Sequence, residues 1–149
     1  MSLQKSQNGY FAAGLGALVG AVALRGLGMY LGISYVKKFM PNAELEAFIP
    51  LAIFHFVGWW VGEVLGCWLG LRLRHHRGAG ETATLVVGLA PFAIVFWLIF
   101  YPIFLNWVRA SVSELEFAQL YEQLSLITVS FLSIALALLA RFLTKPLAS

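Results

Sequence analysis

Long apolar blocks separated by short polar connections account for almost the whole chain, with spans at about 9–36, 47–71, 82–108 and 118–143. A helix rises 1.5 Å per residue, so roughly 20 apolar residues cross about 30 Å of hydrocarbon. Each block is long enough. Tyr10–Tyr35 is rich in Gly and Ala, and Phe48–Leu71 carries a glycine at every fourth position. Ala83–Val108 is bulky and aromatic, and Leu120–Leu143 mixes Leu, Ile and Ala with hydroxyl residues. The connections are a Pro41-Asn42 turn followed by Glu44 and Glu46, a basic turn at Arg72–Glu81, and a polar stretch from Arg109 to Glu116. Short links favour antiparallel neighbours. The pattern predicts an all-α integral membrane protein: one transmembrane domain over 1–149, folded as an up-down bundle of four transmembrane helices.

Composition strengthens this reading. The chain is 60% hydrophobic and 11% charged, against about a quarter charged in soluble domains. Mean hydropathy is +0.83. Lys5 before an apolar run, with Ala21-Val22-Ala23 behind it, has the form of a signal peptide; the segment is read instead as the first transmembrane helix. One side of the bundle collects six Lys and Arg (Lys5, Arg72, Arg74, Arg77, Arg141, Lys145) and the other three (Lys37, Lys38, Arg109). Positive charge favours the cytoplasm, so the N and C termini are expected there. The opposite side carries Glu44, Glu46, Glu114, Glu116 and Glu122. The pI near 9.2 calls for no nucleic acid, because basic inner loops meet anionic lipid. The expected location is multi-pass, in an inner, plasma or other energy-transducing membrane. Cys67 is the only cysteine, which excludes an internal disulfide.

Gly58, Gly62, Gly66 and Gly70 lay a smooth groove along the second helix. Small residues at this spacing let helix backbones approach in lipid. On the first helix, Gly14, Ala17, Ala21, Arg25, Gly28 and Gly32 share one face at about 100° per residue. Gly14, Gly28 and Gly32 are therefore expected to pack against the second helix, with Arg25 near mid-membrane. His55 lies on the glycine stripe and Glu63 at its edge. Charges at this depth need a partner or a task. Arg25 and Glu63 are expected to pair directly or through water, as a structural pair, as an ion, proton or substrate site, or as an intersubunit contact.

His55 could be an axial ligand for haem or chlorophyll, or a hydrogen-bonded core histidine. His75-His76 has no Cys, Asp or third His nearby to complete a metal site, so a solvated basic turn is expected and no metal. Pro91 and Pro102 interrupt donation within the aromatic third helix. Ser125, Thr128, Ser130 and Ser133 do not form one continuous stripe and make a poor pore wall.

No phosphate loop, His-Glu-x-x-His, Gly-x-Ser-x-Gly or paired-Cys motif is present, so no catalytic residues are assigned. Gly14–Arg25 resembles the Gly-rich opening helix of small four-helix fluoride channels over about a dozen residues. The Thr/Phe-rich break of that family's third helix is absent, and no membership is assigned. The expected function is a non-enzymatic small subunit that packs within a larger membrane complex, with lipid and other membrane subunits as partners. The alternative is a small oligomeric channel or transporter using Arg25 and Glu63. A third reading is a haem- or chlorophyll-binding subunit using His55.

Overall fold

The computed structural model describes residues 9–144, which fold into helices joined by short turns. Helix α1 spans Tyr10–Phe39, α2 Phe48–Leu73, α3 Ala79–Ser111 and α4 Glu114–Thr144, with a 3-10 turn at Leu45–Ala47 before α2. All four helices are long and apolar enough to cross a membrane. Each expected span corresponds to one of them, with ends moved by about a turn at most. Lys5 and Lys145, used in the charge count, lie outside the described residues.

Local chemistry sets the helix ends. Gly9 (φ 72°) and Gly78 (φ 75°) precede α1 and α3 in the left-handed conformation, which glycine adopts without a Cβ penalty. Before α4, Ser113 and Glu116 form a reciprocal capping box. The Glu116 carboxylate accepts from the Ser113 backbone N–H at 3.0 Å, and Ser113 Oγ accepts from the Glu116 N–H at 3.4 Å. Pro91 and Pro102 lie inside an unbroken α3. Pro91 has no N–H for the carbonyl of Val87. The Trp60 indole of α2 donates to that carbonyl at 3.3 Å, replacing the missing bond and tying α2 to α3.

The helices form a ring in which α1 and α3 each pack against both α2 and α4. The tightest seam joins antiparallel α1 and α2. A Cβ at Gly16, Gly20, Gly28, Gly58, Gly62, Gly66 or Gly70 would overlap a backbone carbonyl oxygen of the facing helix. The carbonyls thus sit over glycine Cα–H groups, a recurring contact at helix interfaces. The seam differs in detail from the face expected on α1. Gly28 and Gly32 meet α2, but Gly14 meets α4, where an added Cβ would lie 3.6 Å from Ile134 and Leu138. Gly16 and Gly20 oppose Gly66 and Gly62 instead. The reason is that α1 presents small residues to two neighbours at once, so a single small face does not describe it.

Small residues also dominate the interior near the basic turn, with Ala13, Ala17, Ala90, Ala137 and Ala140 fully buried. Nearer the middle, Trp59, Ala21 and Val129 form a second buried cluster, with Phe56 and Trp97 packed on it.

Candidate functional site

Arg25 lies at the middle of α1, where its side chain needs acceptors from neighbouring helices. It finds two. Nε donates to His55 Nε2 of α2 at 3.0 Å, and an Nη2 hydrogen goes to Ser125 Oγ of α4 at 2.7 Å. A guanidinium only donates, so His55 Nε2 carries no proton. The imidazole is neutral, with its proton on Nδ1. Ser125 also adjoins Tyr101 of α3, whose hydroxyl donates to the Tyr121 carbonyl at 3.3 Å. One residue from each helix therefore meets at this level.

Two of the five guanidinium N–H groups are used in this way. Arg25 forms no ion pair with a described residue. A cavity of about 840 Å³ opens beside it, lined by Arg25, His55, Ser125 and Tyr101 and walled by Val22, Met29, Phe48, Leu51 and Ala52. Glu122 and Gln123 also line it. The cavity extends toward the start of α2, away from the basic turn. Beneath Arg25 an aromatic layer closes the bundle. Trp59 donates to Ser133 Oγ at 2.9 Å, Trp97 donates to Thr128 Oγ1 at 3.0 Å, and the two indoles meet edge to face at 5.9 Å. A cation with spare donors, flanked by neutral groups on a mostly apolar cavity, suits an anionic group such as a carboxylate or phosphate.

Among the described residues, Arg25 and Glu63, expected to pair directly or through water, make no direct contact. Leu24 faces Gly58 and Gly20 faces Gly62, so Arg25 stands level with Val57. Glu63 is six residues further along α2, or about 9 Å at 1.5 Å per residue. It is 1% exposed, and its Oε1 has no hydrogen-bond partner among the described residues. For His55, the Arg25 bond occupies Nε2, so axial ligation through that nitrogen would have to displace Arg25.

Three participants escaped the sequence reading. Ser125 and Tyr101 complete the Arg25 site. Arg141, read above as a flanking charge, is 4% exposed and donates to the Arg77 carbonyl at 2.8 Å and to Thr82 Oγ1 at 3.4 Å. The available signal was the buried face of α4, where Val129, Ser133, Ala137 and Ala140 recur at helical spacing. In the basic turn, His76 is held below its ordinary value of 6.5, first by desolvation and then by Arg141 and Arg74. Among the described residues, no three His, Cys, Asp or Glu side chains gather as a metal site.

Comparison with protein-family models, curated proteins and solved structures finds no match to this chain. The functional reading therefore rests on the geometry alone.

Proposed function

We propose that this is an integral membrane protein whose four helices span the bilayer, with the basic-turn end in the cytoplasm, and that it binds an anionic ligand at Arg25 without catalysing a reaction. The observation that carries this reading is Arg25 itself. It is a mid-helix cation held by a neutral imidazole and a hydroxyl, beside a cavity of about 840 Å³. A charge at membrane depth without an acidic partner is costly unless it serves a ligand or pathway. Arg72, Arg74 and Arg77 at one end, against Lys37, Lys38 and Arg109 at the other, support the orientation together with the terminal lysines.

The test is thermal melting of the detergent-purified protein with chloride, inorganic phosphate, acetate and benzoate. At least one anion should raise Tm in wild type, and Arg25→Gln should abolish the rise. No stabilisation by any of the four, or a rise that survives Arg25→Gln, would overturn the proposal.

A second reading, the small subunit of a larger membrane assembly, has its own observation. A furrow of about 490 Å³ runs along the outside of the α1–α2 seam, lined by Gly16, Gly20, Gly62 and Gly66 between Leu15 and Leu65. Its occupant would be one transmembrane helix of a partner subunit, since small residues admit close helix approach. Co-migration with a large assembly after mild extraction, lost in Leu65→Trp, supports this reading. Migration as an isolated small protein argues against it.

A further inference from the structure

Glu63 takes no part in the anion site, yet it is the buried carboxylate of the same interior. His55, Trp59, Glu63 and Cys67 follow one another every fourth residue along one side of α2. Trp59, Glu63 and Cys67 are all buried. The other helices bring small or apolar residues to this part of the bundle: Ala17 and Ala21 from α1, Val86 and Ala90 from α3, and Ser133 and Ala137 from α4. Arg25 of α1 stands on the cavity side of Glu63 and Arg141 of α4 on the basic-turn side. The titratable neighbours are His55 and Cys67 on α2 itself and, further off on α3, Tyr101. No described group satisfies Glu63 Oε1.

We propose that Glu63 is a proton-binding site coupled to the anion site, so that an anion binding at Arg25 brings one proton onto the Glu63 carboxylate. The inference rests on the anion reading of Arg25. Its basis is the placement of the two groups about 9 Å apart along the helix axis, separated by the Trp59–Trp97 layer. An ionised Glu63 without hydrogen bonds depends on the positive field of the neighbouring arginines. A bound anion cancels the Arg25 share of that field. It also leaves two negative charges in one low-dielectric interior, an interaction on the order of tenfold in binding for charges about 12 Å apart at an effective dielectric of about 20. A proton taken from water and held on a Glu63 oxygen removes the repulsion, and no other bond forms or breaks. Linkage makes the effect reciprocal: protonation of Glu63 strengthens anion binding by the same factor. The aromatic layer keeps the groups out of contact, so the coupling acts through the field.

The test uses benzoate and the full-length protein in detergent. Mixing in weakly buffered solution with a pH dye should register up to one proton taken up per benzoate bound by wild type. Infrared difference spectra should gain the C=O band of a protonated carboxyl, and that band should be missing from Glu63→Gln. Benzoate affinity should fall about tenfold between about pH 6 and 9, where benzoate stays ionised, and should be flat with pH in Glu63→Gln. Arg25-dependent binding with no proton uptake in wild type overturns the inference while leaving the anion site standing. So does an unchanged pH dependence in a folded Glu63→Gln. If benzoate and the other anions fail to bind wild type, the anion reading falls first and the coupling with it. Where Glu63→Gln does not fold, proton uptake accompanied by the carboxyl C=O band in wild type supports the inference, and uptake without that band, as protonation of His55 would give, overturns it.

Discussion

At the scale of single residues, the decisive fact is that the acceptors Arg25 finds are neutral and leave it with donors to spare. Hydrogen bonds to a charged donor contribute about 1.5–3 kcal/mol, and groups in direct contact couple by about 0.5–3 kcal/mol. Arg25→Met and His55→Phe should therefore be strongly non-additive in a double-mutant cycle, by about 1–3 kcal/mol, read from melting in detergent. Arg25→Met combined with Glu63→Gln should show a smaller coupling, because those side chains do not touch. A larger coupling for the second pair would contradict the register. His76 gives a pH prediction. Its value in the fold lies below 6.5, so below that pH the unfolded chain binds more protons than the folded one. Stability then falls as pH drops from about 6.5. The drop in Tm on acidification should be smaller in His76→Gln than in wild type. Arg25, His55 and Glu63 were legible in the sequence as polar residues within apolar runs. Which of them meet was not, because helical spacing fixes a residue's face on its own helix and says nothing of its level on the next.

At the scale of elements, the glycines of the α1–α2 seam act by absence. A methyl group at Gly20 or Gly62 would strike a backbone carbonyl, and backbone cannot rotate away. Gly20→Ala and Gly62→Ala should each destabilise by about 1–3 kcal/mol, as overpacking does. A Cβ at Gly88 meets nothing within 4 Å, so Gly88→Ala should raise Tm, in line with the roughly 1 kcal/mol advantage of Ala in a helix. If all three alanines behave alike, the seam is not what holds α1 to α2. Gly70 lies near the end of α2, and position alone would make Gly70→Leu milder than Gly62→Leu. Its contact with the Ala12 carbonyl instead predicts comparable losses of folded protein, measured as yield after purification. The Trp60 bond to the Val87 carbonyl is a second element-scale device, and it explains how α3 carries Pro91 without a break.

For the whole molecule, α1 and α3 start at the basic-turn end and α2 and α4 start at the other. Gly80 is exposed at the start of α3, beside that turn, and Glu114 is exposed at the opposite end. In a Cys67→Ser background, cysteines at these two positions should label from opposite sides of the membrane, with position 80 on the cytoplasmic side. Labelling of both from one side would break the four-span topology. Labelling of 80 from outside would reverse it.

The sequence by itself determined four helices, their approximate limits and their alternating direction. These follow from run length, turn residues and short connections, and such terms act within or between adjacent segments. It also marked the glycine stripe of α2, because spacing by four is a property of one helix. The tertiary structure alone decided that Gly16 and Gly20, rather than Gly14, oppose that stripe. It also placed Arg25 with His55 and Ser125, left Glu63 Oε1 without a hydrogen bond among the described residues, and buried Arg141. Each of these outcomes depends on axial register and on the rotation of one helix against two neighbours. Register is set by the sum of many backbone and side-chain contacts across the seam, and no periodicity along a single chain segment encodes it.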